Sequence, residues 1–558
     1  MGILLLAFLL LAWRIVDLQI MRHDFLNDQG NARTLRVEQV NAYRGMITDR
    51  NGQPLAVSTP VMSVWANPQE IENIKDVAKG LSKSLGVSAR EIEKRLLANK
   101  DKEFVYLKRQ LPPQKAEQVL QQGISGIYTQ REYQRYYPAA EVAAHLVGFT
   151  DIDDVGQEGM ELAYNEWLRG EAGQKLVLKD RAGRVINNLS SIKEEKAGQN
   201  LHLSIDLRLQ YLAYRELKAA VQEHKAKSGT LVLLDAKSGE VLALVNQPSY
   251  NPNKRSTINH TNLRNRAITD VFEPGSTVKP LTVAAALESG KYDLASRVNT
   301  APGYLLLGKS TIRDHKNYGV IDLATIISKS SNVGASKLAL SMDSDAVRTI
   351  FSKVHLGQDT GSGFPGERVG MLPYHENGRA IELATLSYGY GLSVTALQLA
   401  RAYTVFTNQG RVQQVSLLKQ DRPEQSEAVM KAVTANALLG MLEKVVAKGG
   451  TGTRANINSY RVAGKTGTVH KLSEGGYQHD KYTALFVGVA PASDPKVIAV
   501  VLIDEPTGRE YYGGEVAAPV FSRVVSGALR VLNISPDVIK NKRTEVVNSS
   551  VKPVAGAT

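Results

Sequence analysis

The sequence predicts an α+β protein of more than one folded unit, the larger of which is an antiparallel sheet flanked by helices. Three observations carry this. At 558 residues the chain is too long for one ordinary core. Hydrophobic residues make up 43% and charged residues 22%, an ordinary globular composition, so disorder is expected only at the ends. Near residue 201 the pattern changes from short alternating runs to a strand running into a long amphipathic helix.

The N-terminal segment is apolar. Residues 2–13 (GILLLAFLLLAW) are uncharged, Arg14 follows, and Ile15, Val16, Leu18 and Ile20 continue a helix around Asp17. A full span needs ~20 residues, so residues 1–20 read as a membrane anchor at the short limit. It lacks the Lys/Arg residues that normally hold an N-terminus in the cytoplasm, so the printed start is expected to be truncated. A cleaved signal peptide would want a basic n-region and an A-x-A-like site, and neither is present. An uncleaved anchor would put the remaining chain on the outer face of the membrane.

Residues 21–200 predict an α+β module. Asn51-Gly52 signals a turn between short apolar runs. NIKDVAKGLSKSLGVSAREIEKRL is a helical pattern with Leu81, Leu85 and Ile92 along one face, and Lys179 to Arg184 reads as a solvated basic turn. Residues 201–540 form the larger domain. SGTLVLLDAKSGEVLALVNQ predicts a hairpin across Lys237-Ser238-Gly239, and 482–490 and 496–504 predict strands near a sheet centre. The chain between hairpin and late strands reads as mostly helical, and 541–558 as a flexible tail.

The net charge of +13 suits a nucleic acid, an anionic membrane or an acidic polymer. With no zinc-finger spacing, no run of five Lys/Arg and no RNP-like motif, no nucleic-acid partner is expected. Zero cysteines exclude disulfides and a thiol nucleophile, and the ten histidines never form H-E-x-x-H. Neither a metal nor a cofactor is predicted.

The chemistry lies in three short motifs. S-x-x-K occurs five times, beginning at Ser190, Ser276, Ser416, Ser493 and Ser549, so context must choose. Only Ser276 follows a Glu-Pro-Gly turn and opens an apolar helical run, which ends before Gly290. Spacing of i to i+3 puts Ser276 and Lys279 on one face, as nucleophile and base require. An ordinary Lys near ~10.4 is protonated at neutral pH. Burial and a second cation would both lower it, and Lys465 of Lys465-Thr-Gly-Thr468 supplies that cation. S-x-N occurs at Ser249, in a Pro-flanked loop, and at Ser330-Ser331-Asn332, between two helical runs. K-T-G occurs once, ending a predicted strand, where Gly467 is expected to let a substrate backbone approach the strand edge. The order S-x-x-K, S-x-N, K-T-G, at separations of 54 and 135 residues, is that of penicillin-binding proteins and serine β-lactamases.

Longer stretches sharpen the likeness. RGMITDRNGQPLAVS (44–58), YQRYYPAAEVAAHLVGFT (133–150), GQEGMELAYNEWLRG (156–170), RNRAITDVFEPGSTVKP (264–280), SKSSNVGASKLAL (328–340), SYGYGLSVTALQLARAY (387–403) and YYGGEVAAPVF (511–521) make the chain resemble the class B penicillin-binding proteins of the cell-division type. The resemblance implies a non-catalytic, dimerisation-like pedestal over 21–200 and a transpeptidase domain over 201–540. It implies that Ser276 attacks the D-Ala–D-Ala carbonyl of a peptidoglycan stem peptide, and that an amine from a second peptide resolves the acyl-enzyme. Lys279 would be the base, Ser330 the proton relay and Asn332 the holder of the donor amide. Lys465, Thr466 and Thr468 would orient the terminal carboxylate, with Gly467 among the binding residues, and Ser276 and Thr468 N–H groups would form the oxyanion hole. It further implies acylation by β-lactams, membrane attachment with the catalytic domain in the periplasm at the septum, and partners that include a lipid II polymerase and other division proteins. Ser330-Ser-Asn332, in place of the S-C-D of elongation-type relatives, points to division. A β-lactamase would need an E-x-x-L-N carboxylate, which is absent, and a non-catalytic sensor would not need intact Ser276, Lys279 and Lys465.

Overall fold

The computed structural model describes residues 1–25, 35–179, 185–257, 259–374, 379–422, 426–473 and 476–538. All of the predicted basic turn Lys179–Arg184 but Lys179, and the tail at 541–558 with its Ser549 tetrapeptide, lie outside them. Gly2–Met21 is one 20-residue helix of mean hydropathy 2.1, none of it buried, long and apolar enough to cross a membrane. Its two early charges neutralise each other, because Arg14 donates to Asp17 at 2.7 Å one turn away.

The chain divides into two compact units. The first gathers residues 1–207 with 249–265 and 363–366; the second holds 208–248, 266–362 and the chain from 367 onward. In the first unit the long strand Pro54–Ala66 pairs with Ile47–Thr48, Val105–Leu111 and Ile127–Tyr136. The predicted Asn51-Gly52 turn joins Ile47–Thr48 to it, and Asp49 fixes that turn by accepting from the Asn51 and Gln53 amides, each at 2.8 Å. The helical pattern around Leu81 is two helices, Ile74–Leu85 and Ala89–Leu97. Gly86, at φ +62°, closes the first, and the Ser88 side chain caps the second by accepting from Glu91 N–H. Leu81, Leu85, Ile92 and Leu96 share a core with Val64, Leu107 and Ile127.

That unit also buries an ionic cluster. Glu161 accepts from Arg44 Nε at 2.8 Å and Arg135 Nε at 2.6 Å, with all three side chains fully buried. Arg44 spends its remaining N–H groups on the Glu161 and Asp154 carbonyls and Asn165 Oδ1.

The second unit is built on a five-stranded antiparallel sheet in the order Val241–Gln247, Ser228–Asp235, Val497–Asp504, Gly476–Ala490, Ala463–Ser473. The predicted hairpin and late strands are its first four members, and Val497–Asp504 is central. Val241–Gln247, Ser228–Asp235 and Val497–Asp504 are buried along almost their whole length because both faces are covered, whereas Gly476–Ala490 is polar in its first half and buried only in its second. The helix Ala396–Thr407, buried at every position, and the helix Ala518–Val531 both pack on the central strand. The stretch between hairpin and late strands is less helical than predicted: helices cover fewer than half of its described residues, and it also holds the ribbons Arg297–Asn299 with Val320–Asp322, Tyr304–Leu307 with Ser310–Arg313, and Arg411–Val412 with Glu427–Ala428. K-T-G stands near the start of the outer strand Ala463–Ser473 rather than at a strand's end.

Candidate active site

Ser276 does not open an α-helix. Gly275–Val278 is a 3-10 turn, and the α-helix runs from Lys279 to Glu288. Pro280 is the cause: an α-helix from Ser276 needs the N–H of residue 280 on the Ser276 carbonyl, and proline has none. Lys279 N–H takes that carbonyl instead. The following helix is buried from Lys279 through Ala286, as its apolar flanks predict.

The turn is clamped by a loop and a helix. Gly275 N–H donates to Gly389 O at 3.0 Å. Gly389 sits at φ +89°, and a Cβ there would lie 2.1 Å from Gly275 O, so only glycine lets the two backbones meet. The buried Tyr403 hydroxyl donates to Thr277 O at 2.6 Å, and Thr282 Oγ1 donates to Ser387 O at 2.6 Å. Ser276 itself is half-buried, and its hydroxyl has no hydrogen-bond partner among the described residues.

Ser330-Ser331-Asn332 joins the helices Leu323–Ser328 and Asn332–Ser341. Ser330 holds φ +59°, a left-handed conformation that a non-glycine residue keeps only when its surroundings enforce it. Asp314 supplies much of that enforcement. Its carboxylate accepts from Ser331 Oγ at 2.5 Å, Asn332 N–H at 2.6 Å and Val333 N–H at 3.0 Å. This caps the second helix and aims Ser330 and Asn332. Asp314 lies outside all three motifs, in the segment after a short hairpin, and no local pattern marks it.

Two lysines meet at Ser330. Lys279 Nζ donates to Ser330 O at 2.5 Å, Ser330 Oγ at 3.1 Å and Asn332 Oδ1 at 2.7 Å. Lys465 Nζ donates to the same Ser330 Oγ at 3.0 Å and to Thr466 O at 3.0 Å. Both lysines are fully buried, and neither has a carboxylate within ion-pair distance among the described residues. Burial, and then the charge of Lys465, hold the Lys279 amine well below the usual lysine range, with Asp314 pulling weakly the other way. Burial brings Lys465 down to about 7. Near neutral pH Lys465 is thus partly protonated, and its charge together with burial favours the neutral, basic form of the Lys279 amine.

Ser276, Ser330, Asn332, Thr466 and Thr468 line one cleft of about 750 Å³. The predicted set therefore converges, with two differences. Lys279 is turned to Ser330 and Asn332 rather than to Ser276, and the Asn332 amide is engaged at both ends, its Nδ2 donating to Arg313 O at 3.1 Å. Gly467 does not clear a path for substrate: a Cβ there would meet Thr277 Cγ2 at 3.0 Å and Leu485 Cβ at 3.1 Å. It lets the nucleophile turn pack on the strand. Other tetrapeptide serines lie elsewhere; the Ser416 hydroxyl donates to Leu418 O, and Ser190 is exposed in the strand Val185–Lys193. Ser249 of the other S-x-N donates to Glu141 O.

Residues 229–526 match the penicillin binding protein transpeptidase domain, and residues 39–203 the penicillin-binding protein dimerisation domain. The chain is 45% identical over 554 residues to "Peptidoglycan D,D-transpeptidase FtsI" of Escherichia coli (strain K12), covering 98% of this chain and 94% of that protein. The transpeptidase domain of Burkholderia pseudomallei penicillin-binding protein 3 is 41% identical with a TM-score of 0.56, covering 60% of this chain and 98% of that one. A peptidoglycan synthetase from Bifidobacterium adolescentis, 23% identical, shares the fold over 91% of this chain and 98% of its own at a TM-score of 0.72. The chain belongs to the class B penicillin-binding proteins, with a dimerisation domain followed by a transpeptidase domain.

Proposed function

We propose that this chain is a peptidoglycan D,D-transpeptidase that cross-links stem peptides of the septal wall through an acyl-enzyme on Ser276. One observation carries the assignment of roles: two buried lysines without carboxylate partners converge on Ser330 Oγ, in the cleft that Ser276 lines. Ser276 Oγ attacks the penultimate D-Ala carbonyl as its proton passes to the neutral amine of Lys279, which turns from Ser330 and Asn332 to take it. Collapse of the tetrahedral adduct breaks the peptide bond, and the proton reaches the leaving D-Ala amine through Ser330, which touches both lysines. An acceptor amine then attacks the ester, gives up a proton along the same path, and regenerates Ser276. Thr466 and Thr468, with Lys465 behind them, take the donor's terminal carboxylate, and backbone N–H groups of Ser276 and Thr468 stabilise the oxyanion. A β-lactam enters the same first step and stops at the ester.

The domain assignment follows the same reading: an anchor over 1–20, a non-catalytic pedestal over 21–200, the transpeptidase domain over 201–540 and a tail beyond. The anchor holds the catalytic domain on the periplasmic side of the inner membrane, at the septum, where a lipid II polymerase and other division proteins would work beside it. Fluorescent penicillin tests the assignment. The wild-type protein becomes covalently labelled and Ser276→Ala does not; labelling that survives the substitution would refute the acyl-enzyme on Ser276.

A further inference from the structure

Three residues before Ser276, Glu273 is a carboxylate that acyl transfer leaves unused. Its Oε1 accepts from Gly391 N–H at 2.8 Å and from the Tyr477 hydroxyl at 3.0 Å. Its Oε2 is buried and has no partner among the described residues. Burial pushes the carboxyl above its ordinary value, against the pull of the two donors.

The donors matter for what they hold. Gly391 follows Tyr390 in the chain, and the Tyr477 ring packs edge-on against Tyr390, with centroids 5.6 Å apart at 69°. Tyr390 lines the cleft, and the backbone of His470, two residues beyond Thr468, lies beside its hydroxyl. One carboxylate oxygen thus fixes Tyr390 both through its neighbouring amide and through the ring packed against it. The nucleophile turn has clamps of its own in Gly389 O and Tyr403, so Glu273 is not needed to hold Ser276.

We propose that Glu273 is a positioning residue for selectivity: it sets the Tyr390 ring as a fixed wall against which the acyl donor is read away from its reacting carbonyl. The inference rests on Ser276 as the acylated residue. Glu273 touches no reacting atom and acts through Tyr390 and Tyr477.

The test uses the full chain with Glu273→Gln, Tyr477→Phe and the double variant. Acylation by benzylpenicillin, which carries an aromatic side chain, and by 6-aminopenicillanic acid, which carries only an amine, is resolved into a half-saturation concentration and a limiting rate. Losing one net hydrogen bond is expected to raise the benzylpenicillin half-saturation concentration about fivefold in each single variant. The double variant should be no worse than the worse single, because the contact that Tyr477→Phe removes is one of the two that Glu273 makes. The limiting rates, and both parameters for 6-aminopenicillanic acid, should stay at wild-type values. Tyr477→Phe keeps its half-exposed ring, so a result is available even if Glu273→Gln folds poorly. A fall in limiting rate for both lactams at constant half-saturation would overturn the proposal, since Glu273 would then serve the nucleophile. Single effects that multiply in the double variant, or no effect at all, would overturn it too. A failure of the Ser276 reading is separate, and shows as labelling that survives Ser276→Ala.

Discussion

Each unit buries a cluster of cations, and the two clusters are solved in opposite ways. In the first, Arg44 and Arg135 share Glu161, and the bonds between them are 2.6–2.8 Å. In the second, Lys279 and Lys465 share only the neutral oxygens of Ser330, Thr466 and Asn332. Residue type explains the difference. A guanidinium cannot shed its proton, so a buried arginine must find an anion; a lysine can, and a buried lysine left without one becomes a base. Compensated burial yields structure, whereas uncompensated burial stores reactivity.

Exchanging the consequences would break that contrast. Lys279→Ala is expected to slow acylation by penicillin roughly 10²–10⁴-fold, the span of a lost general base, while the melting temperature holds or rises because no buried anion is orphaned. Glu161→Ala should do the reverse. Stranding two buried guanidinium groups costs about 3–5 kcal/mol, read as an earlier first transition in thermal denaturation, while the labelling rate per folded molecule is unchanged. Fast labelling by the Lys279 variant, or an unshifted melt for the Glu161 variant, would erase the distinction.

The contrast also explains what the sequence made legible. Ser276, Lys279, Ser330, Asn332 and Lys465 could be read because their chemistry repeats in fixed local spacings, and the sheet because its strands are long apolar runs bounded by turns. Asp314 could not: its partners are Ser331, Asn332 and Val333, and the contact exists only once the chain is folded. The same holds for Gly389 beneath Gly275, and for Gly467, whose missing side chain serves Thr277 rather than a ligand. The 3-10 turn at Ser276 was within reach, since Pro280 stands in the sequence and dictates it.

Asp314 offers a finer test within the second cluster. Lys279 works as a base only when neutral, so the acylation rate should fall as pH drops through its folded pKa. The Asp314 charge raises that pKa slightly against burial and Lys465. Asp314→Asn should therefore move the acid limb of the rate profile to lower pH. The plateau should also fall, because the hydrogen bond from Ser331 is weakened. A limb that stays in place while the plateau drops would reduce Asp314 to a helix cap.

The smallest expected effect comes from the place where the first cluster is itself imperfect. Asp154 lies near Arg44 and Arg135, yet its Oδ1 is buried with no partner among the described residues, and burial pushes its carboxyl up to about 6 despite both arginines. Its unfolded value is near 3.9. Between those values the folded state binds the proton more tightly, so this group's contribution to stability is lost as pH rises from about 4 to about 6 and stays lost above that. Asp154→Asn removes the titration. The variant should melt above wild type at pH 8 and lose that advantage near pH 4. If it melts lower at pH 8, the carboxylate is a working partner of the arginines, and the first cluster is as fully compensated as Glu161 alone makes it appear.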